Sequence, residues 1–115
     1  MSYKYIDLKI ENHVATVTMA RMEALNALSL ELASEIASTF RELGANEDVR
    51  AIILCSKARI FCAGLDLKEA AAAANVTPKG VLDIIQKFQP LFDCCNFIEE
   101  CPKPVIAAVH GKCIG

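Results

Sequence analysis

The stretch that most constrains this chain is Phe61-Cys62-Ala63-Gly64-Leu65-Asp66-Leu67. To its left lies a short apolar run, Ala51 to Cys55, closed by a basic turn of Ser56, Lys57, Ala58 and Arg59. To its right lies a helix-forming run, Lys68 to Ala74. The heptapeptide therefore sits where a strand ends, crosses a glycine and enters a helix. Amide N–H groups at a helix start lack intrahelical partners and are free to bind an anion or a developing oxyanion. Gly64 permits a positive φ or a close backbone approach. Asp66 suits the N-cap, with Glu69 placed to complete a capping box. Two readings stay open for Asp66 at this stage: a structural cap, or an acid–base group.

The flanking segments predict the layers around this crossing. Tyr3 to Ile10 and His13 to Met19 alternate apolar and polar residues about Glu11-Asn12, the pattern of a β-hairpin, with His13 opening the second strand as a solvated edge residue. Ala24 to Leu28 is an apolar loop that, taken alone, reads as core; Asn26 within it is suited to fixing the loop through its amide. Ser29 opens a helix through Leu43, stopped by Gly44 and buried along Leu32, Ile36, Phe40 and Leu43. Glu31, Glu35 and Arg41 fall off that stripe and read as solvated charges. Arg50 to Cys55 is apolar on both faces, which suits a parallel sheet covered on both sides.

After the heptapeptide, Asn75-Val76 interrupts the alanine-rich helix, and Thr77-Pro78 restarts one with Thr as N-cap and Pro first. Val81, Ile84, Ile85, Phe88, Leu91, Cys95 and Ile98 mark one face of it. Pro90 should kink or break this helix near Lys87, because a helix-interior proline costs about 3 kcal/mol. Pro102 and Pro104 enforce extended chain, and Val105 to Val109 reads as a buried strand before a glycine-containing turn from Gly111 to Gly115.

A length of 115 residues fits one domain, and 54% hydrophobic with 23% charged residues supports a packed core. The net charge of −2 comes from interspersed acids and bases, with no basic stripe for nucleic acid. No apolar run approaches the roughly 20 residues of a membrane helix. Met1 to Asp7 alternates like a strand and does not read as a targeting peptide. The six cysteines, at 55, 62, 94, 95, 101 and 113, show neither a secretory context nor C-x-x-C spacing. Most read as buried thiols behaving as small hydrophobes, with no metal site expected. Cys62 lies in the heptapeptide, but neither His13 nor His110 is tied to it by sequence, which disfavours a nucleophile.

Ala63-Gly64-Leu65-Asp66-Leu67 resembles the A-G-x-D-[LI] segment of the crotonase family, the enoyl-CoA hydratases and isomerases. Ala24-Leu25-Asn26-Ala27-Leu28 resembles that family's coenzyme A-contacting segment. Cys101-Pro102-Lys103-Pro104-Val105-Ile106-Ala107-Ala108-Val109-His110-Gly111 resembles its KPVIAAVxG strand, and is the most specific of the three. The family's proline-containing turn after the hairpin is here Ala20-Arg21-Met22, without the proline. The long insert from Leu67 to Cys101 and the continuation Lys112-Cys113-Ile114-Gly115 look closest to the Δ3,5-Δ2,4-dienoyl-CoA isomerase branch.

This resemblance implies an α/β crotonase (ClpP-like) fold of repeated β-β-α units, with residues 1–115 forming its N-terminal portion. It implies an acyl-CoA substrate of fatty-acid β-oxidation whose thioester carbonyl is held by two backbone N–H groups, one from Ala63. Ala24, Ala63, Gly64, Leu65, Asp66 and Leu67 would contact the substrate. The second donor and the acid–base carboxylates would follow Gly115, so the 115-residue chain alone is expected to be inactive. No cofactor is expected beyond the coenzyme A that enters with the substrate. A homotrimer or hexamer is expected of the full-length protein, cytoplasmic in a bacterium and mitochondrial or peroxisomal in a eukaryote. Isomerase, hydratase and a non-catalytic binding or assembly module remain the alternatives.

Overall fold

The structure, a computed structural model, describes residues 2–74 and 80–115. Strand β1 (Ile6–Glu11) pairs antiparallel with β2 (Val14–Met19). A 3-10 turn (Met22–Ala24) and helix α1 (Leu30–Ala45) lead to β3 (Ala51–Ser56), parallel to β2. Helices α2 (Leu67–Ala74) and α3 (Val81–Glu99) precede β4 (Val105–Ala107), parallel to β3. The sheet order is β1-β2-β3-β4, which is the α/β architecture expected.

The hairpin forms, but one residue later than its pattern predicts. Asn12 and His13 hold the turn at φ 52° and 67°, the left-handed pair that matches the twist of the flanking strands. His13 is thus a turn residue, and its Nδ1 lies 2.9 Å from the Asp48 carbonyl.

The core lies between one sheet face and α1. Ala15 and Val17 of β2 stand beside Ile52 and Leu54 of β3, and Leu32, Ile36, Phe40 and Leu43 of α1 cover them. The helical stripe is the one that the 3.6-residue period marks. Ser29 caps α1 by accepting from the Leu32 N–H at 3.1 Å. Gly44 does not stop the helix, which continues to Ala45. Pro102 packs over Gly44, 3.4 Å from where a Cβ would stand. The Lys103 ammonium donates to the carbonyls of Leu43 and Asn46, placing a cation at the negative end of α1. Glu35 is not simply solvated either: its carboxylate accepts from the N–H groups of Lys4 and Tyr5, tying the N-terminal segment to α1.

Four further expectations need correction. The sheet is covered on one face only among the described residues: Lys9, Thr16 and Ile53 share the other face, and Ile106 beside Ile53 is 59% exposed. Pro90 does not break α3, which runs unbroken from Val81 to Glu99; the Gln86 carbonyl simply lacks its i+4 donor. The face of α3 that packs on the core carries Leu91, Cys94, Phe97 and Ile98, while Ile84, Ile85 and Cys95 are exposed. The strand expected to reach Val109 ends at Ala107, and Val109 is exposed. The break at Asn75-Val76 and the helix start at Thr77-Pro78 lie outside the described residues.

Candidate active site

The loop that leaves β3 is held from inside. Ser56 donates its hydroxyl to the Ile60 carbonyl and accepts from the Ala58 N–H. Asn26, fully buried in a left-handed backbone conformation, donates to Ser56 Oγ at 2.7 Å and to the Phe61 carbonyl at 3.2 Å. Its Oδ1 accepts the Arg21 N–H at 2.9 Å. Asn26 therefore joins three segments, the loop-fixing role its residue type suggested.

The 24–28 loop then runs beside the glycine turn. Ala63 N–H donates to the Leu25 carbonyl at 3.1 Å, Leu28 N–H to the Gly64 carbonyl at 2.7 Å, and Asp66 N–H to the Leu28 carbonyl at 3.0 Å. The Gly64 N–H is directed at Cys62 Sγ, 3.3 Å away. The amide expected to grip an oxyanion, that of Ala63, is therefore already engaged. The Leu65 N–H donates to none of the described residues. It belongs to the same planar trans peptide as the Gly64 carbonyl, so it points to the side opposite Leu28.

Gly64 has φ +91°, which other residues rarely adopt, and a Cβ there would stand 3.0 Å from the Ile114 carbonyl. That carbonyl belongs to the segment that follows β4. Phe61 N–H donates to the Lys112 carbonyl and Ile114 N–H to the Cys62 carbonyl, which bridges Cys62 to Cys113. The glycine-containing turn at 111–115 is thus laid against the first turn, with Gly115 at the Gly64 backbone.

Ala24, Ala63, Leu65, Asp66 and Leu67 line one cleft of about 390 Å³, with Arg21, Glu23, Ala27 and Lys68. Gly64 is buried behind them. Asp66 accepts from the Glu69 N–H at 3.1 Å, the N-cap bond of α2, and from Arg21 Nη1 at 2.8 Å. The Arg21 hydrogen bond, then the Glu69 N–H, hold its carboxyl below the ordinary carboxylate range. A carboxylate with both oxygens occupied and a lowered pKa is a poor proton acceptor, which decides for the cap. The capping box is only half formed: Glu69 turns away and accepts the Leu30 N–H at 2.7 Å.

Cys62 Sγ donates to the Asn26 carbonyl at 3.2 Å, and burial pushes its thiol pKa up, so it braces the turn as a thiol. His110 Nε2 lies 2.7 Å from the Ala58 carbonyl. Of the six free cysteines only Cys62 and Cys94 are buried, fewer than expected; burial pushes Cys94 up to about 12. Sequence reasoning missed the reach of Arg21 and Glu69. The only available signal was that both flank segments it had already singled out.

A mixed sheet covered on one face, a glycine turn with an amide unengaged among the described residues and an adjoining cleft define an α/β protein whose candidate site lies at that turn. The chain belongs to the enoyl-CoA hydratase/isomerase family, whose model matches residues 9–115. Among curated relatives, the human mitochondrial Delta(3,5)-Delta(2,4)-dienoyl-CoA isomerase is 35% identical over 98% of this chain and 37% of that protein. A solved enoyl-CoA hydratase/isomerase of Xanthobacter autotrophicus Py2 superposes with a TM-score of 0.85 at 34% identity, over 97% of this chain and 40% of that one. An enoyl-CoA hydratase of Mycobacterium smegmatis gives 0.78 at 32% identity, over 94% and 40%. The crotonase fold of the chain is established by these matches, and the chain spans about two fifths of the length of the relatives it matches.

Proposed function

We propose that the protein acts on an unsaturated acyl-CoA thioester of fatty-acid β-oxidation and holds the thioester carbonyl through the Leu65 N–H, not that of Ala63. The observation that carries this reading is the Leu65 amide, without a partner among the described residues, while the amides of Ala63, Gly64 and Asp66 are engaged. Removing a proton α to the carbonyl, or adding water to a conjugated double bond, places negative charge on the thioester oxygen. A donor already aimed at that oxygen lowers the barrier, and losing one such donor typically costs roughly 3–4 kcal/mol. Ala24, Gly64, Asp66 and Leu67 would shape the pocket around the acyl and coenzyme A groups, with coenzyme A entering only as part of the substrate. The second donor and the acid–base carboxylates would lie beyond Gly115, so no turnover is expected of residues 1–115 alone.

Dienoyl-CoA isomerisation is the favoured reaction, because the human relative carries that name at 35% identity. Hydration is the second reading, favoured by the likeness to the Mycobacterium smegmatis hydratase. The test is spectrophotometric assay of the full-length gene product with 3,5-dienoyl-CoA and with 2-enoyl-CoA. Turnover of the first substrate supports the isomerase reading, and turnover of the second the hydratase reading. Binding of both without turnover would leave a non-catalytic module, and binding of neither would overturn the reading. A trimer or hexamer is proposed for the full-length protein, to be measured by its mass in solution. The site of action proposed is the mitochondrion or peroxisome in a eukaryote and the cytoplasm in a bacterium.

A further inference from the structure

Arg21 stands where the hairpin gives way to the 24–28 loop. Its Nη1 donates to the Ala27 carbonyl and to Asp66 Oδ2, both at 2.8 Å. The pair is largely withdrawn from water, with side-chain exposures of 16% and 11%. Other neighbours hold the guanidinium from the remaining sides: the Tyr5 ring, 5.8 Å from Cζ to the ring centroid, and Glu23, 3.8 Å from Nε. Nε is buried and has no hydrogen-bond partner among the described residues. A guanidinium that leaves its Nε–H unsatisfied while Nη1 bridges two segments is placed by the bridge, not by its own solvation.

The bridge spans the bonds that orient Leu65. Gly64 and Asp66, the two neighbours of Leu65, are both fastened to Leu28, and Arg21 fastens Ala27 to Asp66 from the cleft side. The main chain at 24–28 and the turn at 63–66 are therefore fixed as one body.

We propose that Arg21 is a positioning residue for the reaction: by clasping the Ala27 carbonyl to the Asp66 carboxylate, it fixes the direction of the Leu65 amide. The proposal rests on the acyl-CoA reading above. Arg21 need not touch substrate. Its removal lets the turn relax relative to the loop, and a displacement of about 1 Å at a reacting group lowers rates by about a hundredfold.

The experiment compares Arg21→Gln and Arg21→Lys in the full-length gene product, with two readouts. The first is acyl-CoA turnover. Arg21→Gln should lower kcat by about ten- to a hundredfold, with KM changed by less than about threefold, and Arg21→Lys should restore part of the loss. The second is hydrogen exchange of the Leu28 and Asp66 amides, which should quicken by at least about tenfold in Arg21→Gln. A kcat within about threefold of the parent, or a loss that Lys does not relieve, overturns the proposal. Should the parent turn over no acyl-CoA, the functional reading fails separately, and unchanged exchange in Arg21→Gln still overturns the clasp. If Arg21→Gln does not fold, Asp66→Asn decides, since its amide oxygen keeps the cap while the charged partner is lost. The same kcat loss supports the clasp, and parental kcat overturns it.

Discussion

Glu69 caps a helix other than its own: its carboxylate, in the first turn of α2, accepts the N–H of Leu30, the first residue of α1, at 2.7 Å. The two helix starts are thereby linked through one side chain, with Ser29 capping α1 from within and Asp66 capping α2. Removing the acceptor leaves the Leu30 N–H to water. Glu69→Ala is expected to cost about 1 kcal/mol, the usual worth of a helix cap, and Glu69→Gln to recover most of it. Urea unfolding of the two variants checks this.

The charge on Asp66 fixes the sign of a pH dependence. Its folded pKa lies below the ordinary value of about 3.9 because Arg21 and the Glu69 N–H hold the carboxylate. A depressed acid contributes stability that is fully present above its unfolded pKa and is lost as pH falls through the folded one. This contribution is therefore expected to stay constant from about pH 5 to 7 and to decline below about pH 4. Asp66→Asn should be less stable than the parent at neutral pH, and the gap should narrow in acid. Unfolding midpoints taken across that range, parent against variant, provide the measurement.

Asn26 has no exposed surface, and its side chain serves Arg21, Ser56 and Phe61 together. Truncation orphans several buried groups at once. Asn26→Ala is expected to destabilise by about 2–3 kcal/mol, and alanine is further disfavoured at its φ of +58°. The expected result is a clear fall in the thermal midpoint, where exposed substitutions such as Glu47→Ala shift it little.

Proline at two neighbouring positions separates the two candidate donors. Leu65→Pro removes the unengaged N–H and is expected to lower kcat by about 10²–10³ with little change in the unfolding midpoint. Ala63→Pro removes the bond to Leu25 and is expected to lower the midpoint itself. Kinetics and thermal unfolding on both variants of the full-length protein distinguish these outcomes.

Features governed by nearby residues were legible in the sequence. The α1 stripe follows from a 3.6-residue period, the hairpin from alternation, and the Ser29 and Asp66 caps from residue type at a helix start. What eluded the sequence depends on distant partners. Glu69 and Leu30 lie 39 positions apart, and nothing local in Glu69 distinguishes that bond from a capping box. Naming the unengaged amide required knowing that Leu25 occupies Ala63 and that Leu28 occupies Asp66. The exposed Ile84 and Ile85 on α3 are apolar by composition and periodic by spacing, so pattern alone could not distinguish them from Leu91 and Ile98, which are half-buried against the core.

The peptide that joins Gly64 to Leu65 has one further consequence. Its oxygen is bonded to Leu28 and its hydrogen has no partner among the described residues, so it is a dipole with one pole anchored. An electron-rich atom settling on the hydrogen draws charge along the amide and makes the oxygen a stronger acceptor. If the proposed function holds, occupancy at Leu65 would tighten the grip of Leu28 and stiffen the 24–28 strip.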